Sequence, residues 1–278
     1  MIEFLTLFKW TLLGTTLSAA TLAWMGSHLS ARNQGLQTLV ITQSSSLGVL
    51  LALFLTGVLG LEHSHFVSEV GFALIVSALI YWGSEIWLGR KQEKRENFYL
   101  ALYALLIAGS YILISQSSHL DAHSHNSFFG DVALSSDSDS LSMVFLGLFS
   151  AGVLIKGHKS ITLATFTRSL SSQSGSLALQ SPWTNRIFQA LSLVWIVLSV
   201  KSFGTLFTVS ALFVPGLVLS GFAKSLKNFE VLLVLSALLG NALGFLGSYW
   251  LPTLPTSALI SVCFVFMAGI LGLANQSG

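Results

Sequence analysis

Residues that could ligate a metal ion gather at two places in the sequence. His119, Asp121, His123 and His125 occupy every second position. In an extended chain alternate side chains point to one face, so all four could converge on one ion. Imidazole nitrogen combined with a carboxylate suits zinc, and also manganese and other divalent transition metals. Glu62, His63 and His65 form a second group, which could add to the first if the two segments meet. These two stretches hold His63, His65, His119, His123 and His125, leaving only His28 and His158 of the chain's 7 histidines elsewhere. The plainer reading is a pair of solvated polar loops. A metal captured there would in any case be held apart from the site where an ion crosses.

Other chemical signals are sparse. The run Gly152-Val153-Leu154-Ile155-Lys156-Gly157-His158-Lys159-Ser160 looks superficially like a phosphate loop. It fails because His158 stands where a lysine should follow the second glycine. No nucleophile–base arrangement is present, so no enzymatic activity is expected. Glu69 and Glu85 lie near the ends of an apolar segment, and both read as side chains reaching toward lipid headgroups, Glu85 beside Arg90. The stretch Thr42-Gln43-Ser44-Ser45-Ser46 could line a polar path through a membrane. Small residues equally let helices pack closely, as the four-residue spacing of Ser236, Gly240 and Gly244 suggests for another segment.

The elements that must position these residues are set by composition. Of 278 residues, 53% are hydrophobic and only 9% are charged. A soluble domain carries about a quarter charged residues. Several apolar stretches approach the ~20 residues a helix needs to cross the hydrocarbon layer. In lipid, helices satisfy every backbone group internally, and these stretches lack the alternation of a barrel strand. The fold class is therefore all-α, a polytopic transmembrane helix bundle of about eight or nine spans. The segments are 4–25, 36–61, 66–89, 98–115, 141–156, 187–201, 204–222, 229–250 and 256–275. The sixth and seventh meet at Lys201-Ser202-Phe203-Gly204 and could form one broken helix. The segment 4–25 reads as a first span rather than a cleaved leader.

Charge sorts the loops between two faces. With nine spans, Arg32, the group Arg90, Lys91, Lys94 and Arg95, the group Lys156, Lys159, Arg168 and Arg186, and the pair Lys224 and Lys227 all fall on one side. Only Lys9 and Lys201 fall on the other. Lysine and arginine accumulate in cytoplasmic loops, so the basic face is inside and the histidine-bearing face outside. The chain reads as one transmembrane domain, 1–278, with a cytoplasmic loop at about 157–186. Within that loop, 161–170 suits a short helix lying on the membrane surface, followed by the flexible Ser171-Ser172-Gln173-Ser174-Gly175. The single cysteine, Cys263, precludes an intrachain disulfide, and a net charge of +2 gives no reason to expect nucleic acid.

The order of motifs resembles that of the permease subunits of zinc/manganese-type metal ABC transporters. Ser210-Ala211-Leu212-Phe213-Val214-Pro215-Gly216 is similar to that family's segment ending in Ala-Leu-Leu and a proline. Gly247-Ser248-Tyr249-Trp250-Leu251 with Leu254-Pro255-Thr256 is similar to its Ser-Tyr-Tyr/Trp and Leu-Pro-Thr-Gly turn. Phe129-Gly130-Asp131-Val132 resembles the element after its outer loop. Lys159-Ser160 through Thr165-Phe166 resembles its coupling segment, which implies that Thr165, Phe166, Thr167 and Arg168 face an ATPase. The resemblance further implies a second copy of the chain, a cytoplasmic ATP-binding subunit that alone binds ATP, an extracytoplasmic metal-binding protein, a divalent metal as the transported substrate, and a bacterial inner membrane with its lipid. Two departures stand out. The family's pathway Asp and His on the second span align with Leu39 and Gln43, neither of them a metal ligand of that kind, and Thr167-Arg168 replace its acidic residues. Two other readings compete with a permease subunit. A secondary metal transporter would require ionisable residues at mid-membrane, where this chain is poor. A non-transporting scaffold or regulator would explain the missing Asp/His pair.

Overall fold

The structure, a computed structural model, describes residues 6–59, 65–88, 95–116, 132, 135–174 and 182–277. Among them there is no β-strand. The helices are α1 (Lys9–Ala31), α2 (Gly35–Leu59), α3 (His65–Leu88), α4 (Arg95–Ser115), α5 (Asp137–Ser174), α6 (Pro182–Leu219), α7 (Leu226–Trp250) and α8 (Thr256–Ser277). The all-α polytopic bundle expected from the apolar runs is the architecture found. Local signals start and stop the helices. The Ser136 hydroxyl accepts from Asp139 N–H at 3.1 Å, and Asp137 and Asp139 place negative charge in the first turn of α5. Ser225 caps α7 in the same way through Asn228 N–H. Between α1 and α2 the chain turns in three residues. Asn33 takes the left-handed conformation, φ 57, while Gln34 N–H donates to Leu29 O at 2.9 Å and Asn33 N–H to Ser30 O at 3.0 Å. This is a Schellman turn, for which asparagine is one of the few suitable residues besides glycine.

Two expectations need correcting. The first is the span count of eight or nine, because 7 of the described helices are long and apolar enough to cross a membrane. Helix α1, expected as the first span, falls outside these 7 on composition, although it runs from the Thr11 end of the bundle to the Arg32 end. Its threonines return their hydroxyls to the backbone, Thr15 to Thr11 O and Thr21 to Leu17 O. The expected sixth and seventh segments are both present, two helices that run on into each other through a sharp break at Gly204, φ 85 and ψ 166, and carry the one label α6. This backbone region is open essentially to glycine alone. The interruption is a reversal: Ser199 Oγ lies 2.8 Å from Thr208 Oγ1, whereas a straight helix would separate two such residues by about 13 Å along its axis.

The second correction concerns the cytoplasmic loop at 157–186. Helix α5 runs without interruption to Ser174, and α6 begins at Pro182. Among the described residues of that stretch there is no separate surface helix. From His158 to Ser174 the sequence has neither glycine nor proline, so nothing stops the helix, and serine, threonine and glutamine only weaken it. The phosphate-loop lookalike, 152–160, is accordingly plain helix.

Cross-helix contacts define two ends. At one, α1 meets α5 through Ser140 Oγ and Thr11 Oγ1, 3.4 Å apart, and Lys201 lies with Asp139 and Glu69. At the other, Arg32 lies with Thr165 and Asn185. By the charge rule the Arg32 end is the inner one. The core between them is aromatic, with Phe188, Trp195, Phe203, Phe207, Phe245 and Phe264 fully buried. The Ser236–Gly240–Gly244 face packs on α8 as expected: a Cβ on Gly244 would lie 2.4 Å from Ile260 Cα. Helices α2 and α6 are central. Within their apolar stretches 67% and 61% of residues are buried, against 17% in α3 and in α4.

Candidate functional site

Helix α2 is the most buried of these apolar helices, yet its middle is polar. Thr38, Thr42, Gln43, Ser44, Ser45 and Ser46 are all buried. Some of these groups are satisfied locally. Thr42 returns its hydroxyl to Thr38 O at 2.8 Å and Ser44 to Ile41 O at 2.8 Å. Others reach neighbouring helices. Ser44 Oγ also stands 3.1 Å from Ser77 Oγ of α3, within hydrogen-bond distance, and Gln43 Nε2 donates to Ser110 Oγ of α4 at 3.4 Å. Ser45 Oγ, Ser46 Oγ and Gln34 Oε1 have no hydrogen-bond partner among the described residues. A buried polar atom without a partner costs about 1–3 kcal/mol. Two on α2 and a third in the turn just before it therefore suit a face that water or a polar cargo visits.

The inner end of this face is closed by a polar relay. Gln34 Nε2 donates to Gln37 Oε1 at 3.2 Å, and Gln37 Nε2 to Glu85 Oε1 at 3.0 Å. Glu85 in turn is ion-paired with Arg95 at the start of α4. Glu85 is therefore tied to a neighbouring helix instead of merely reaching for headgroups. A narrow pocket with a mostly apolar wall opens beside the relay, lined by Leu29, Ile41, Tyr81, Leu193 and Ile196 together with Gln34, Gln37, Thr38, Gln189 and Ser192.

The other predicted residues divide into placed and unplaced. His63, His119, Asp121, His123 and His125 lie outside the described residues, as do Glu62 and the side chain of His65. Among the described residues no group of three or more His, Cys, Asp or Glu side chains is set to hold a metal ion. Leu39 and Gln43 both lie on α2, Leu39 half-buried and Gln43 buried. In the segment expected to face an ATPase, Thr165 is buried and turned into the bundle while Phe166 is 51% exposed. Thr167 returns its hydroxyl to Leu163 O, and Arg168 belongs to the α5 helix.

Two junctions went unrecognised in the sequence. At the inner end Arg32 is buried. Its Nε donates to Thr165 Oγ1 at 3.0 Å, its Nη1 to Asn185 Oδ1 at 2.7 Å and its Nη2 to Ile161 O at 3.4 Å. Its guanidinium lies 4.3 Å from the centre of the Phe188 ring, within cation–π range. His28 Nδ1 stands 3.0 Å from the same Thr165 hydroxyl. On its other side Glu230 of α7 lies 4.0 Å from His28 Nε2 and 3.5 Å from His158 Nε2. At the outer end Lys201 Nζ bridges Glu69 of α3 at 3.4 Å and Asp139 of α5 at 3.3 Å. The loop position of Arg32 was legible, but no local spacing links it to Thr165, 133 residues away.

A model of the ABC 3 transport family matches residues 3–273. No curated protein matches the sequence. Among solved structures, PsaBC from Streptococcus pneumoniae in complex with Fab is similar, with a TM-score of 0.73, 18% identity, and coverage of 98% of this chain and 95% of that one. A second, described as an inward-facing conformation of an ABC transporter of metal-chelate type, has a TM-score of 0.56 and 14% identity over 96% of this chain and 75% of that one. At these identities the structural likenesses speak for the fold.

Proposed function

The chain belongs to the ABC 3 transport family, and on that premise we propose that it is the membrane subunit of an ATP-driven importer or exporter of a divalent transition metal, zinc or manganese. In such a permease the membrane chain forms the pathway, and ATP hydrolysis lies in a separate subunit. The full assembly has two copies of this chain, cytoplasmic ATP-binding subunits at the inner end of α5, and an extracytoplasmic metal-binding protein, all at a bacterial inner membrane. The observation that carries the reading is the buried hydroxyl and amide face of α2, with Ser45 Oγ, Ser46 Oγ and Gln34 Oε1 unpartnered. It offers neutral oxygen atoms along the central helix, at the level where the family's ligands would stand. Oxygen donors favour a hard cation, so manganese is the better fit of the two.

One further reading has its own support. Leu39 and Gln43 bring no ionisable ligand to α2, and no metal-holding cluster exists among the described residues. A path of neutral hydroxyls and amides suits a metal that brings its own ligands, as a chelate. The deciding experiment is uptake into vesicles carrying the chain with its ATP-binding subunit, using free manganese, free zinc and a chelated metal in parallel, with and without ATP. ATP-dependent uptake of a free ion supports the first reading, and of the chelate alone the second. Uptake that ignores ATP, or none at all, overturns both and leaves a gradient-driven carrier or a scaffold. Within that assay Ser45→Ala combined with Ser46→Ala removes two unpartnered hydroxyls. The expected result is unchanged or slightly raised thermal stability with several-fold slower uptake. Unchanged uptake would show that this face only packs helices.

A further inference from the structure

We propose that Arg32 is a positioning residue that transmits movement of the inner end of α5 to the pathway helix α2. The inference rests on the permease reading above and names the connection within it.

Helix α5 carries the segment that would face an ATPase, and Asn185 lies in the first turn of α6, the next helix in the chain. Arg32 grips both sides. Its fork takes Thr165 Oγ1 and Ile161 O on α5 and Asn185 Oδ1 on α6, and its flat face rests against Phe188 of α6. A guanidinium presents several donors in one rigid plane, so the two helix ends are held in one mutual orientation. The Thr165 hydroxyl is itself fully used. It donates to Ile161 O at 2.8 Å while Arg32 Nε and His28 Nδ1 approach at 3.0 Å each. One proton and two lone pairs are then all engaged. Thr165 thus has no capacity left for an outside partner, while Phe166 beside it is exposed.

The other half of the connection is the turn. Arg32 is the C-cap of α1, and its backbone N–H is shared between His28 O at 3.1 Å and Leu29 O at 3.2 Å. Asn33 and Gln34 complete the Schellman turn, and α2 begins at Gly35. Gln34 then hands on through Gln37 to Glu85 and lines the pocket beside the α2 polar face. A displacement of Thr165 therefore reaches the inner gate of the path through a fork, a three-residue turn and a hydrogen-bonded relay, with no flexible segment between. Each link is a discrete contact that can be cut singly.

The test uses the complete complex with its ATP-binding subunit in vesicles, reading ATP hydrolysis and manganese uptake together. Arg32→Lys keeps the charge and loses the fork. Thr165→Val keeps the shape and loses the hydroxyl. Both are expected to lower the manganese taken up per ATP hydrolysed by about tenfold, inside the roughly 5- to 150-fold range of site-to-site coupling. Combining them should lower it little further. An unchanged ratio in Thr165→Val overturns the proposal, and so does a combined loss equal to the product of the single ones. Failure of Thr165→Val to copurify with the ATP-binding subunit overturns it as well, since the hydroxyl would then hold the docking end rather than transmit from it. Absence of ATP-dependent uptake in the unaltered complex is a different outcome, and overturns the permease reading itself.

Discussion

Arg32 and Lys201 fasten the two ends of the bundle by opposite means. At the inner end a buried arginine distributes its donors among uncharged acceptors, a hydroxyl, an amide oxygen and a backbone carbonyl. At the outer end a lysine stands between two carboxylates, with 12–15% of these side chains still accessible. The geometry of the first is fixed by a planar fork, while the second combines charge with a hydrogen bond from Lys201 Nζ to Asp139, and an ammonium group imposes little direction. Their neighbours differ in the same sense. Arg32 caps a helix inside a tight Schellman turn. Lys201 lies three residues before Gly204, where α6 reverses. The inner junction is built to keep helices in one orientation, and the outer one to hold a bend by a bond that competing ions can loosen.

The sharpest way to break this contrast is to remove the outer cation. Lys201→Met leaves Glu69 and Asp139 facing each other, largely buried, without a counter-charge. Removing one partner of a buried pair costs about 3–5 kcal/mol, and the residual exposure here puts the expected loss at the low end, about 3 kcal/mol. Thermal unfolding of the purified chain reads it. Restoring neutrality with Glu69→Gln and Asp139→Asn in the same chain should recover most of the loss. If the triple variant is no more stable than Lys201→Met, the carboxylates are not what Lys201 holds.

A smaller effect is expected at the bend. Gly204 has φ 85 and ψ 166, and Gly204→Ala forces a side chain into that region at about 1–3 kcal/mol. Gly240 and Gly244 set a useful control, because alanine there would strike α8 while leaving the backbone conformation alone. If the outer junction serves the bend, Gly204→Ala should also make Lys201→Met cheaper, since a distorted bend no longer presents Lys201 to both carboxylates. A double-mutant cycle measures that coupling. Simple additivity would separate the triad from the bend.

How far the sequence disclosed these junctions follows from what each depends on. Helix content was legible because apolar runs of membrane length have few alternatives. The packing face of Ser236, Gly240 and Gly244 was legible because it is periodic. The break near Lys201-Ser202-Phe203-Gly204 showed as a polar interruption, but not its direction, which depends on the Ser199–Thr208 contact. The extent of α5 was misjudged because serine and threonine mark both loops and weak helix, and only the missing glycine or proline distinguishes them. Likewise Glu85 sat near Arg90 in the sequence, yet its partner is Arg95 on the next helix. In the candidate pathway, the polar residues of α2 stood out by composition. Whether their oxygens are satisfied depends on Ser77 and Ser110, supplied by two other helices. The outer histidines His119, His123 and His125 fall outside the described residues, and their role stays with the metal-uptake assay.

Salt gives the smallest effect and isolates the contrast most cleanly, because it acts on charge and not on shape. At 0.1 M ionic strength the screening length is about 10 Å and at 1 M about 3 Å, so a partly accessible ion triad weakens across that range. The expected loss of stability in the unaltered chain is under about 1 kcal/mol. In Lys201→Met the sign should reverse, because salt then screens two carboxylates that repel each other, and stability should rise with salt. Arg32→Gln should leave the slope as it is in the unaltered chain, since Arg32 holds neutral acceptors whose bonds depend little on ionic strength. Thermal unfolding of the three chains over the same salt series gives all three slopes. A slope changed as much by Arg32→Gln as by Lys201→Met would mean that the inner junction is ionic too, and that the two ends differ in residue type but not in kind.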